Sequence, residues 1–453
     1  MELSQKLMQW NRPVPRYTSY PTALQFYPLG LTEVTGALKR YDTSQRPLSL
    51  YFHIPFCKTM CLYCGCFVIL NRRPEKKAAY VDLLLKEIAL AASAFSSKRN
   101  VTQIHFGGGT PTLLSSDEFD RIFDAVHRFF SIDPQAEIAI EIDPRTVYED
   151  GGEKLCHLKK VGFNRVSFGV QDLDPLVQET VRRRQSEEMS VATFRMAREI
   201  GFEGINVDLI YGLPHQTPER FRKTAIRIAE MRPDRIAFFS YAKVPWLKAH
   251  QKAMPEDAEP STQDKFRIYV EARSIFQNAG YVGIGMDHFS LPEDPLTQAL
   301  HQKTLWRNFQ GYSLKLADDL LGFGVSSIGF IDSVFLQNAK SLEEWTREIE
   351  QGRFPVFRGF VLGEEDKLRR WVIQTLMCHF ELDKKEFQAL FGRSFDAHFA
   401  FERKAIEELK SEGLLEESEE KLLPTEMGQL FIRLIAAAFD SYLKPEDHHA
   451  KLI

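Results

Sequence analysis

Between residues 48 and 241 short apolar runs alternate with long amphipathic stretches, and this alternation restricts the chain to few folds. The runs 48–54, 103–106, 137–142, 165–170, 205–211 and 235–241 have the length and composition of strands. Helical periodicity fills 76–96, 116–130, 175–199 and 217–231. Strands joined by helices must lie parallel, with right-handed crossovers. The pattern therefore predicts an α/β fold, a partial (β/α)6 TIM-like barrel, closed or partly closed. Polar residues or glycines end every run: His53, Gly107-Gly108-Gly109-Thr110, Glu141 with Asp143, Gln171 with Asp172, Asp208, and Tyr241. One acid at a strand end serves as a cap or turn former. Six polar ends in phase place an active site on that face of the barrel.

Outside the alternation the texture changes. Residues 1–47 carry Pro15-Arg16-Tyr17-Thr18-Ser19-Tyr20-Pro21, whose prolines predict an extended arm. Residues 48–354 hold the barrel and an extension with glycine-marked turns at 283–289 and 322–328. From 355 to 453 helices are predicted at 364–380, 384–391, 396–412 and 426–443, with a hairpin over 413–424, an order similar to a winged helix. Residues 401–453 contain 7 Lys/Arg against 12 Asp/Glu, and the whole chain has a formal net charge of −4, so no nucleic-acid partner is expected. No apolar run nears the roughly 18 residues of a membrane span, and the N-terminus lacks the pattern of a secretion signal. The expectation is a cytoplasmic protein with no membrane partner.

Four of the six cysteines, Cys57, Cys61, Cys64 and Cys66, fall within ten positions directly after the first strand. Cys156 and Cys378 stand alone in predicted helices and read as small core residues. In a reducing compartment a C-x3-C-x2-C-x-C run points to a metal or an iron–sulfur cluster. Structural zinc takes four ligands, normally as two separated pairs, and no second pair exists. Three thiolates on a [4Fe–4S] cluster leave one iron open, free to bind the amino and carboxylate groups of S-adenosylmethionine and to reduce its sulfonium. The glycines at 107–109 admit close backbone approach to such a ligand. Thr110, Glu141 and Asp208 offer acceptors and donors for its ammonium and ribose, and Arg183 could meet a carboxylate.

With Pro15–Thr22, His53-Ile-Pro-Phe-Cys57, Cys64-Gly-Cys66, Gly107–Thr112, Gly169-Val-Gln-Asp172, Asp208–Pro214, Met286-Asp-His-Phe289 and Arg307-Asn-Phe-Gln-Gly-Tyr312, the chain resembles the oxygen-independent coproporphyrinogen III oxidases of the radical S-adenosylmethionine superfamily over nearly its full length. The resemblance implies oxidative decarboxylation of two propionates of coproporphyrinogen III to vinyl groups, giving protoporphyrinogen IX in haem biosynthesis. It implies that Cys57, Cys61 and Cys64 ligate the cluster, with Cys66 close by in a catalytic role. It implies two S-adenosylmethionine molecules. Tyr51, Gly108, Glu141 and Ile328 would contact the cluster-bound one, and Tyr63, Gly109, Thr110, Gln171, Arg183, Asp208 and Ala242 the second. Gln310 matches a position at the substrate end, and Arg16 and Arg307 suit a tetracarboxylate substrate. An electron donor, an unidentified electron acceptor and a monomeric state are further expectations. The chain departs from the family at Tyr63, Phe67-Val68 and Tyr241-Ala-Lys-Val-Pro245, which bears on the second cofactor position. The alternative readings are a haem chaperone, whose members typically lack the arm and the Gly65-Cys66 pair, and a haem-modifying radical methyltransferase relative.

Overall fold

A computed structural model describes residues 2–71, 73–309, 311–314, 317–444 and 449–450. Its six central strands are β1 (Leu48–Ile54), β2 (Asn100–Gly108), β3 (Ser131–Ile142), β4 (Arg165–Gln171), β5 (Gly204–Tyr211) and β6 (Arg235–Ser240). Each pairs in parallel with the next. Six more strands follow: β7 (Val282–Ile284), β8 (His288–Ser290), β9 (Asp319–Phe323), β10 (Ile328–Ile331), β11 (Val334–Asn338) and β12 (Val356–Val361). Strand β9 lies parallel on the outer side of β1, and β10 to β12 continue as an antiparallel meander. Strands β8 and β7 add antiparallel beyond β6. The sheet ends on β7 at one edge and on the pair Tyr27–Pro28 at the other, so it curls as a partial barrel and does not close.

The apolar runs sort as their pattern requires. Phe52 stacks on Phe106 and Phe323 at 4.6 and 5.1 Å between centroids, while the helices Pro74–Ala92 and Ser116–Phe129 bury Leu84, Ile88, Phe119 and Phe123 against the sheet. Ser115 and Glu118 close the second of these helices with a reciprocal capping box. Near the N-terminal ends of β4 and β6, Arg165 and Arg235 are buried against Glu137 and Asp294.

Several sequence expectations need correction. The helix predicted over 175–199 is two helices, Pro175–Thr180 and Glu187–Ile200. Arg182 has φ of 56° in the turn between them, and Ser186 caps the second helix. The predicted helices 396–412 and 426–443 are also each interrupted. The arm begins with a helix, Glu2–Trp10, where no periodicity was evident. Cys156 is exposed on the helix Glu153–Val161 and is not a core residue; Cys378 is buried. The C-terminal region is helical with a small sheet in which Lys421–Pro424 pairs with Leu415–Glu417 and Leu382–Asp383. Its core takes in Leu7, Trp10, Val14, Tyr17 and Tyr20 of the arm. No helix among the described residues is long and apolar enough to cross a membrane.

Candidate active site

The cysteine loop leaves β1 at Pro55 and is fixed by its own backbone. Asn71 N–H donates to the Cys57 carbonyl at 3.1 Å and Leu62 N–H to the Val181 carbonyl at 3.0 Å. A segment after β6 grips the loop from the other side. Gln251 Nε2 donates to the carbonyls of Tyr63 (3.1 Å) and Ala242 (3.0 Å), His250 Nε2 lies 2.8 Å from the Cys64 carbonyl, and Lys248 Nζ donates to the Cys66 carbonyl at 2.7 Å. These three side chains had no sequence signal, because nothing along the chain links residue 64 to residue 250.

All four thiols border one cavity of about 520 Å³ at the C-terminal face of the barrel. Tyr63, Gly108, Gly109, Thr110, Glu141, Gln171, Arg183, Asp208 and Ala242 share its walls. Tyr51 and Ile328 do not. Tyr51 stands behind the wall, its ring 6.0 Å from that of His105, whose Nε2 is 3.3 Å from Glu141 Oε1. Ile328 opens β10 beside Gly322, where a Cβ would meet the Ile328 carbonyl at 2.9 Å. Gln310 lies outside the described residues.

The glycine run is required by the protein itself. A Cβ at Gly107 would sit 2.7 Å from Glu141 Oε1, and one at Gly108, at φ of 108°, would collide with the His53 ring. Gly108 N–H then donates to Glu141 Oε2 at 3.1 Å. Burial raises the Glu141 carboxyl, but His105 and the Gly108 N–H outweigh it and hold the pKa below its ordinary value. Asp208, buried beside Glu141, has fewer donors; Ser167 Oγ reaches it at 3.0 Å. Burial and the Glu141 charge push Asp208 up to about 7. Two acids in one cavity are thus poised differently.

Arg183 is turned inward by the break between the two helices, while Arg182 and Arg184 remain exposed. Its Nη2 donates to the Gly169 carbonyl at 2.5 Å and stands 3.6 Å from Asp143 Oδ1. Asp143 also takes Arg145 Nη2 at 2.6 Å, and despite burial the two guanidiniums hold its carboxyl down to about 2. His53 was marked by its strand end and by the His53-Ile-Pro-Phe-Cys57 motif. Arg145 and His105 carry no motif of their own, and only the position of His105 ahead of the glycine run hinted at a role.

The donor set fits a thiolate-held cluster. Arg183 Nη1 and Arg145 Nη2 point at Cys61 Sγ from 3.6 and 3.9 Å, and Thr110 Oγ1 is 3.3 Å from Cys57 Sγ. Such donors favour the thiolate that a metal requires. Burial, helped by the neighbouring Cys64, Cys61 and Asp143 and opposed by Thr110, pushes the Cys57 thiol up to about 11. Among the described residues no three Cys, His or carboxylate groups converge as ligands of a single ion would. Zinc would draw thiolates about 3.8 Å apart, given Zn–S near 2.3 Å.

Comparison with known proteins places these features in context. A model of the radical SAM superfamily matches residues 51–228, and one of the HemN C-terminal domain matches residues 362–431. An oxygen-independent coproporphyrinogen III oxidase of Escherichia coli is 42% identical, covering 97% of this chain and 95% of that one. The enzyme of that name from Synechocystis is 40% identical over 98% and 96% of the two chains, and that from Helicobacter pylori 39% over 98% of each. The solved structure of coproporphyrinogen III oxidase from Escherichia coli, described as a radical SAM enzyme, matches with a TM-score of 0.90 at 42% identity, covering 95% of this chain and all of that one.

Proposed function

The chain belongs to the oxygen-independent coproporphyrinogen III oxidases, radical SAM enzymes of haem biosynthesis, and on that premise we propose how its residues divide the work. The reaction is oxidative decarboxylation of two propionates of coproporphyrinogen III. Each propionate loses a hydrogen atom from its β-carbon, then carbon dioxide and one electron, and a vinyl group remains. The bound [4Fe–4S] cluster and S-adenosylmethionine supply the carbon radical that removes the hydrogen.

Cys57, Cys61 and Cys64 hold the cluster in this proposal, and Cys66, exposed at the cavity wall, stays free of it. Glu141, ionised and fixed by Gly108 N–H, accepts the ammonium of the cluster-bound cofactor, with Tyr51 and Ile328 supporting that position from behind. Tyr63, Gly109, Thr110, Gln171, Arg183, Asp208 and Ala242 take a second S-adenosylmethionine. Arg16 and Arg307 meet substrate carboxylates. A separate electron donor and acceptor complete the cycle, in a monomer of the cytoplasm.

One observation supports this reading: the four thiols line the same cavity as Glu141 and Asp208, as a cluster and its cofactor in contact would need. The test is an anaerobic assay of the reconstituted protein with S-adenosylmethionine, reductant and coproporphyrinogen III. Protoporphyrinogen IX is the expected product. Methionine release without vinyl product would instead favour a haem chaperone or haem-modifying relative.

A further inference from the structure

Buried charge at the floor of the barrel is balanced: Arg165 and Arg235 lie 2.9–3.5 Å from Glu137 and Asp294, two cations against two carboxylates. A second buried cluster is not. Arg16, Arg307 and Arg433 gather near one carboxylate, Asp287, whose Oδ1 is already 2.6 Å from His288 Nδ1. Arg307, 3% exposed, reaches Asp287 only at 3.6 Å, and its Nε and Nη1 have no hydrogen-bond partner among the described residues. Among the described residues Arg433, 4% exposed, donates only to main-chain carbonyls: through Nε to Pro15 at 2.9 Å, and through Nη2 to Val14 and, at 3.5 Å, to Ala450. Burial and the neighbouring guanidiniums push Arg433 down to about 9. Arg16 is half-buried and Arg307 also lies over the Tyr312 ring at 4.4 Å, so the burial of the cluster is only partly compensated and an incoming anion would complete it.

A void of about 40 Å³ lies beside Arg433, bordered also by Ser240 and Asp287 and not by Arg16 or Arg307. That volume exceeds the roughly 10–15 Å³ a single water needs on the same measure, so a carboxylate would reach all three arginines only from the side of the main cavity. Ser240 is also a wall of the main cavity, and its carbonyl accepts Arg16 Nη2 at 2.5 Å. The cluster therefore adjoins the active site behind the end of β6.

Arg433 belongs to the C-terminal helix Ile432–Ala437, yet it grips Val14 and Pro15, the two residues directly before Arg16. The same domain fixes the arm on either side. Trp10 Nε1 donates to Glu412 at 2.9 Å, Tyr17 OH to Asp440 at 3.0 Å, and Trp10 packs 5.1 Å from Phe431.

We propose that Arg16, Arg307 and Arg433 form a carboxylate-binding pocket assembled by the C-terminal domain, with Arg433 as the positioning residue that sets Arg16 beside Arg307. Its ligand is a propionate of the substrate, and in this the pocket rests on the coproporphyrinogen reading above. A neutral donor would suffice merely to hold the arm; a third guanidinium makes the pocket an anion receptor.

The test is titration of the full-length protein with coproporphyrin III, the fluorescent and unreactive oxidised form, and with its tetramethyl ester. Arg16→Met and Arg433→Met should each weaken coproporphyrin III binding at least tenfold, Arg433→Lys less so, and none should change binding of the ester. Amide exchange over residues 11–20 should quicken in Arg433→Met but not in Arg16→Met. Wild-type affinity in Arg433→Met, or an equal loss for the ester, overturns the pocket, and unchanged amide exchange overturns the positioning role. Failure of the wild-type chain to bind coproporphyrin III overturns the substrate reading instead. If Arg433→Met does not fold, Arg16→Met and Arg433→Lys carry the test.

Discussion

The main cavity and the arginine cluster behind its β6 wall have opposite electrostatic design. In the cavity Glu141, Asp143 and Asp208 share the walls with Arg145 and Arg183, and the arginines are answered by Asp143 and a thiol within 4 Å. Behind the wall Arg307 stands 3.6 Å from Asp287, with Arg16 and Arg433 nearby. An acid-rich end suits a ligand carrying a sulfonium and an ammonium, and a cation-rich end suits a tetracarboxylate. The difference also separates charges that support the fold from charges that wait for a ligand. Removing one partner of a paired, buried ion costs stability, whereas replacing an under-compensated buried cation by an apolar side chain is neutral or stabilising.

Substitutions at the two ends should therefore fail differently. The largest effect is expected at the loop: Cys61→Ser should abolish the iron–sulfur absorption of the reconstituted protein, while Cys66→Ser keeps it and loses turnover. Equal cluster loss in both would remove the distinction drawn between these thiols. Next comes the contrast of Arg183→Met with Arg307→Met. The first should cost about 3 kcal/mol in denaturant unfolding, because Asp143 loses one of its two arginines, and should also abolish binding of the second S-adenosylmethionine. The second should cost less, because Asp287 keeps His288 and Arg16, with its main loss in coproporphyrin III affinity. Matching stability losses would erase the comparison.

Protonation sharpens it further. Asp208 has a folded pKa of about 7, above its unfolded value near 4, so the fold prefers the neutral acid and loses stability as pH rises between those values. A ligand that donates to Asp208 needs the ionised form. Affinity for the second S-adenosylmethionine should thus rise about tenfold from pH 6 to pH 8, following the ionised fraction, and Asp208→Asn should flatten both trends. Calorimetry at the two pH values checks the affinity, and thermal melts of the ligand-free protein check the stability. The smallest effect is expected behind the site. Tyr80 OH donates to the His53 carbonyl at 2.7 Å and accepts Val325 N–H at 3.1 Å, bridging the strand before the cysteine loop to the turn before Ile328. Tyr80→Phe leaves both groups buried and unpaired, a loss of about 1–3 kcal/mol by denaturant melts, with the cluster absorption retained.

Much of this organisation is legible in the sequence. Strand and helix alternate because apolar residues recur with periods of two and of 3.6, so the six central strands lie where the pattern places them. Glu141 and Asp208 announce themselves by standing at strand ends in phase with the glycine run. The break at Arg182 is not legible, since residues 175–199 have continuous helical periodicity and the turn depends on burying Arg183 and Gln185. Nor is Cys156, which has the composition of a core residue and the position of a surface one.

By itself, then, the sequence determined the barrel, the thiol loop and the face on which chemistry occurs, because each is written in spacings shorter than about twenty residues. Tertiary structure decided which distant groups answer them. Lys248, His250 and Gln251 close on the cysteine loop, and Arg433 reaches across more than four hundred residues to hold Val14 and Pro15. The physical reason is the same in each case. A side chain's charge and hydrogen-bonding capacity are local, but whether they are paired depends on what the fold brings beside them.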